Sequence, residues 1–135
     1  PSVFALEKHL EDFLIANWQS TSLGSVYDIY AVDGEVVGQQ FPSDTGPIDI
    51  LAISKDQNTL LVVELKRGRA SDVVVGQIQR YMGYVKDELA EAQQSVRGAI
   101  IALEEDLKLT RALSVTSNID FYRYNVSFKL EQAGK

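Results

Sequence analysis

The sequence contains no cysteine and a single histidine, His9. Without thiols there are no disulfides and no thiolate metal sites. One imidazole is too few for a zinc site, which takes several nitrogen or sulfur ligands. A metal held by this chain would be a hard cation on oxygen ligands, which means magnesium or manganese. Long apolar runs are missing too: none approaches the roughly 18 residues of a membrane span. No membrane partner is therefore expected. The N-terminal stretch carries Glu7, Glu11 and Asp12 on an amphipathic pattern and does not read as a signal peptide. A cytoplasmic location is the default expectation.

Positive charge is short as well. Thirteen Lys and Arg stand against nineteen Asp and Glu, a net charge of −6. This weighs against a general nucleic-acid binder, because phosphate contacts come from Lys and Arg. The deficit is uneven, however. Between Lys66 and Arg80, the basic residues Lys66, Arg67, Arg69 and Arg80 face one acid, Asp72, while "KDELAE" and "LEEDL" gather acids elsewhere. A local basic island can steer an anion on an acidic chain.

What is present reads as one domain, residues 1–135, with no linker, internal repeat or low-complexity segment. "SVFALEKHLEDFLIANW" spaces Phe4, Leu6, Leu10, Phe13, Leu14 and Trp18 as an amphipathic helix. "SVYDIYAV" and "EVVGQQFP" flank Asp33-Gly34, a tight-turn dipeptide, and are expected to pair as a hairpin. "PIDILAIS" and "TLLVVELK" flank "KDQN" as a second hairpin. In "SDVVVGQIQRYMGYVKDELAEA", Val74, Ile78, Tyr81, Val85 and Leu89 line one helix face, with Ser71 as the candidate N-cap. "VRGAIIAL" is an apolar strand, "EEDLKLTRALSVTS" a helix and "IDFYRY" a strand, with "VSFKL" a candidate continuation. The expected order is α-β-β-β-β-α-β-α-β. That is a mixed α/β (α+β) fold with helices on the faces of a mixed sheet and a parallel crossover through the long helix.

The second hairpin carries charges that its strands do not need. Side chains alternate along a strand, so Glu64 and Lys66 share a face while Leu65 points into the core. A turn at 55–58 brings Asp49 beside Glu64, so two carboxylates and an ammonium gather at one sheet end. Paired carboxylates raise each other's pKa unless a cation neutralises them. Lys66 supplies one charge, and magnesium would supply the rest. Such an ion polarises a phosphoryl oxygen and activates water, with the lysine orienting the water or stabilising developing charge. The plainer alternative is a salt bridge at solvated strand ends.

"GPIDILA", followed by "LLVVELKRGRASDVVVGQIQRYMGYV", resembles the PD-(D/E)XK nuclease superfamily. More closely, it resembles the nuclease domain of the NucS/EndoMS type of DNA endonuclease. The likeness runs from "LEDFLIANW" through both strands and the Gln-x-x-x-Tyr helix to "VRGAIIAL". It implies a restriction-endonuclease-like fold and magnesium- or manganese-dependent hydrolysis of DNA, leaving a 5′-phosphate and a 3′-hydroxyl. DNA repair is the setting it implies. Position by position, it implies metal binding by Asp49, Glu64 and the Leu65 carbonyl, with Lys66 as the catalytic lysine. It adds Glu11 from the first helix, with Glu7 one turn earlier as an alternative, and Gln77 and Tyr81 from the helical motif. The proline of the motif is displaced, as Pro47-Ile48-Asp49 behind Gly46.

Arg67, Arg69 and Arg80 read as phosphate contacts or as a solvated face. His9 is expected on an exposed helix surface. Trp18, Tyr122 and Tyr124 read as packing residues ahead of base-stacking ones. NucS-type enzymes carry a further N-terminal domain for DNA binding and dimerisation, which this sequence is expected to lack. An inactive nuclease-fold module for nucleic-acid binding or assembly is therefore the competing reading. A homodimer through the edge carrying "FYRYNVSF" and a separate targeting protein are further expectations.

Overall fold

The computed structural model describes residues 7–125, 127 and 129–135. The start of the N-terminal helical pattern, and part of the expected continuation "VSFKL", lie outside the described residues. Helix α1 (Glu7–Ala16) leads into a 3-10 turn at Trp18–Ser20. Four short strands follow: β1 (Tyr27–Ile29), β2 (Ala31–Val32), β3 (Glu35–Val36) and β4 (Gln39–Phe41). The long apolar strands β5 (Ile48–Ser54) and β6 (Thr59–Leu65) come next, then β7 (Arg69–Ala70) and helix α2 (Val73–Glu88). β8 (Ser95–Ala102), β9 (Glu104–Glu105), α3 (Leu107–Leu113) and β10 (Ile119–Arg123) complete the order.

The main sheet runs β1-β5-β6-β8-β10, with β4 also on β5. β5 and β6 are antiparallel, whereas β6, β8 and β10 are mutually parallel, joined through α2 and α3. This is the expected mixed sheet. Alternation along β6 divides the interior into two layers. Leu60 and Val62 join Val74, Ile78, Met82 and Val85 of α2, while Leu61, Val63 and Leu65 join Leu10 and Trp18 on the α1 side. Helix α2 lies close on the sheet because Gly98 of β8 leaves room for it. A Cβ there would come within 2.7 Å of Met82 Sδ and 3.1 Å of Ile78 Cδ1. The residue at the start of α2 is Asp72 rather than Ser71, and its side chain makes no capping hydrogen bond.

The first hairpin differs from the expected one. Asp33 and Gly34 do form the tight turn, with φ of 52° and 82°, but only Ala31–Val32 and Glu35–Val36 pair across it. The outer arms instead lie end to end on β5. Tyr27–Ile29 pair with Ser54–Ala52, and Gln39 and Phe41 pair with Ile50 and Ile48, both antiparallel. Together, β1 and β4 are two halves of one edge strand, from which the β2–β3 turn protrudes. The join requires Gly38, where an added Cβ would stand 2.2 Å from the Leu51 carbonyl oxygen.

Candidate active site

The site is assembled by register. One residue beyond the Ile50–Val63 pair of the β5–β6 hairpin, Asp49 stands opposite Glu64. The Leu65 N–H donates to Asp49 Oδ2 at 2.9 Å. The Lys66 N–H donates to the Ile101 carbonyl at 2.8 Å, which continues the ladder toward β8. Alternation then returns the Lys66 side chain to the face of Glu64, and its Nζ lies 3.8 Å from Glu64 Oε2.

Glu64 is only 3% exposed. Burial pushes its carboxyl up, and the Asp49 charge and a carboxyl–carboxylate hydrogen bond push further, against a pull down from Lys66, to about 8. A glutamate so placed is a poor salt-bridge partner but a natural ligand for a cation that supplies more charge than one ammonium.

Glu11 is 4% exposed, a charged residue on the inner face of α1. Its Oε1 accepts from Gln39 Nε2 at 2.8 Å and its Oε2 from Gln40 Nε2 at 2.7 Å, with Lys8 Nζ 3.8 Å from Oε1. Gln40 Nε2 also approaches Asp49 Oδ1 at 3.4 Å. Glu11 thus reaches the Asp49–Glu64 pair through an amide. Glu7 is exposed, but its charge contributes to raising the Glu64 pKa.

Tyr81 is 7% exposed, and its hydroxyl backs the loop before Asp49; a Cβ on Gly46 would be 3.4 Å from it. Gln77, one turn earlier on the same face, is half-buried. It makes no hydrogen bond among the described residues. Arg67 and Arg80 are exposed, without an acidic partner among the described residues. Arg69, by contrast, is engaged: its Nε and Nη2 hold Glu104 Oε1 at 2.8 and 2.7 Å. The Arg67 carbonyl accepts from the Tyr124 hydroxyl. Trp18 is buried and donates from Nε1 to the Tyr27 carbonyl at 2.9 Å, so it serves the core. His9 is exposed.

Among the described residues, no cluster of three or more His, Asp or Glu side chains is gathered to hold an ion. The donor set is the Asp49–Glu64 pair and neighbouring backbone, with Glu11 behind Gln40. Gln39 and Gln40 were not anticipated from the sequence. The signal was a pair of amides on a strand end, but it becomes readable only once that strand is known to lie beside Asp49. No helix among the described residues is long and apolar enough to cross a membrane.

Residues 7–132 match the Endonuclease NucS C-terminal domain family. The Endonuclease NucS of Methanocaldococcus jannaschii is 32% identical over 89 residues, 66% of this chain and 32% of its own. The Endonuclease NucS of Pyrococcus abyssi is 38% identical over 61 residues, 45% of this chain and 23% of its own. The fold matches a repair endonuclease from Pyrococcus abyssi with a TM-score of 0.68 at 22% identity, over 92% of this chain and 49% of that one. It also matches EndoMS in a complex with double-stranded DNA, with a TM-score of 0.71 at 19% identity, over 96% of this chain and 48% of that one. The chain thus spans about a third or less of the curated relatives it matches and about half of the solved ones. By the extent of the family match, this chain belongs to the Endonuclease NucS C-terminal domain family.

Proposed function

We propose that this chain is the catalytic domain of a divalent-metal-dependent DNA endonuclease. The observation that carries the reading is the pairing of Asp49 with a buried Glu64 whose pKa stands near 8, with Lys66 on the same face. Asp49, Glu64 and the Leu65 carbonyl would hold magnesium or manganese. The bound ion supplies Lewis acidity toward a phosphoryl oxygen and a water. Lys66 Nζ orients the attacking water or donates to charge developing on the phosphate. Water oxygen bonds to phosphorus, the bond to the 3′ oxygen breaks and that oxygen takes a proton. The products are a 5′-phosphate and a 3′-hydroxyl.

Glu11 supports the carboxylate pair, while Gln77 and Tyr81 shape the wall beneath the Asp49 loop. Arg67 and Arg80, exposed and without an acidic partner among the described residues, would contact flanking phosphates. Arg69 joins them only by leaving Glu104. The outer edge of β10 is where a second copy would pair, and a separate protein would supply targeting. Neither changes the chemistry.

The test is cleavage of plasmid and flapped DNA with added magnesium or manganese. Wild type should nick, Glu64→Ala and Lys66→Ala should lose about a hundredfold or more, and chelator should abolish nicking. Equal activity in all three proteins would refute the reading. DNA binding without metal or cleavage would identify an inactive binding module instead.

A further inference from the structure

Gln40 combines two features that the proposed roles leave unexplained. Its backbone is left-handed, with φ of 51°, although it is neither glycine nor asparagine and lies within β4. Left-handed backbone at such a residue carries strain on the order of 1 kcal/mol or more, and it persists where surrounding contacts impose it. In the register of β4 on β5, Gln40 falls opposite Asp49, between the Gln39–Ile50 and Phe41–Ile48 pairs. The strained backbone delivers one amide to two carboxylates: Nε2 lies 2.7 Å from Glu11 Oε2 and 3.4 Å from Asp49 Oδ1. Both neighbours are acceptors, so the NH2 group is the end that faces them. The other oxygen of Asp49 is held by the Leu65 N–H at 2.9 Å. Asp49 is therefore gripped from both strands that flank β5, and Glu11 has a donor on each oxygen.

We propose that Gln40 is a positioning residue of the metal site: its side-chain amide ties Glu11 of α1 to Asp49 of β5 and fixes the orientation in which Asp49 presents itself to a divalent cation. This rests on the nuclease reading for its catalytic consequence, though not for its metal-binding one. A neutral amide suits the task, because its two N–H donors serve two anions without adding charge to an already crowded site. Outer partners that orient a ligating carboxylate typically matter by about 10- to 100-fold in metal affinity or activity.

The left-handed backbone allows strain and function to be separated. Gln40→Gly removes the amide while adopting φ of 51° without cost. Relieved strain should offset part of the lost hydrogen bond to Glu11, so the fold should persist with a small change in thermal stability, yet manganese binding should weaken by about tenfold in calorimetric titration and the rate of DNA nicking should fall in parallel. Gln40→Asn, which retains the amide and tolerates left-handed backbone, should recover part of the binding. Gln57 supplies the control. It also has positive φ, 67°, but sits in the hairpin turn away from the site, so Gln57→Gly should relieve strain with manganese affinity unchanged. If Gln40→Gly binds manganese as wild type does, or loses affinity only in proportion to lost stability, the proposal is wrong. A wild type that binds no manganese overturns it as well. A wild type that binds manganese but cleaves no DNA refutes the nuclease reading alone, and the binding comparison still decides the role of Gln40.

Discussion

Glu64 is the residue on which the site turns. Strand β6 places it in the interior because its neighbours Val62, Val63 and Leu65 are core residues, and register sets it against Asp49. Burial and a neighbouring negative charge both favour its neutral form. The consequence for stability follows by linkage. The folded-state pKa, near 8, is above the usual 4.5. Between these values the unfolded chain has released a proton that the folded chain retains, so stability falls as pH rises through that window. The metal-free protein should lose stability from about pH 5 to about pH 8 and level off above. Glu64→Gln should flatten this slope and be the more stable protein at the alkaline end, and saturating manganese should offset the loss in wild type. Urea midpoints measured in chelator across that range check this, and a wild-type profile with the variant's slope would contradict it. Asp49, Glu64 and Lys66 were legible in the sequence for the same physical reason: charges on otherwise apolar strands are costly and so stand out. Gln39 and Gln40 were not, because neutral amides on an edge strand carry no such cost. A positive φ at a non-glycine residue leaves no mark in the sequence at all.

At the scale of elements, β5, β6, β8 and α2 followed from their patterns, since length, apolar content and 3.6-residue spacing are local properties. The edge strand did not. Asp33-Gly34 specifies a turn, but it does not specify how far its arms stay together. Here the competing partner is β5, which offers a long unpaired edge, and β1 and β4 take it in tandem. That choice brings Gln39 and Gln40 to the site, and Gly38 makes it sterically feasible. Gly38→Ala would drive a methyl group toward the Leu51 carbonyl, 2.2 Å from the ideal Cβ, with Ile29 Cγ2 at 2.8 Å. The expected loss is about 1–3 kcal/mol of stability, read as a lower denaturation midpoint, together with weaker manganese binding as β4 shifts. A variant matching wild type on both counts would show that β4 is not what positions the two glutamines.

At the scale of the whole molecule, an acidic chain of net charge −6 presents a local opening in that charge around Lys66, Arg67 and Arg80. Lys66 and Arg67 follow the end of β6 and Arg80 lies on α2, and of the three it is Lys66 whose Nζ stands 3.8 Å from Glu64 Oε2. The helices cover both faces of the sheet, and the end of the β5–β6 hairpin opposite its turn is where Asp49, Glu64 and Lys66 stand together. The relatives of this chain are two or more times as long as the segment it matches. The residues proposed for the catalytic site, Glu11, Gln40, Asp49, Glu64 and Lys66, are nonetheless brought together within this chain, by α1, β4, β5 and β6. On the reading proposed above, Asp49 and Glu64 together bind a divalent cation. Anomalous diffraction from a manganese-soaked crystal should show a peak between the two carboxylates that disappears in Glu64→Gln, whereas a fully soaked crystal with no peak there and Glu64 bonded only to Asp49 and Lys66 would rule out a cation site at this pair.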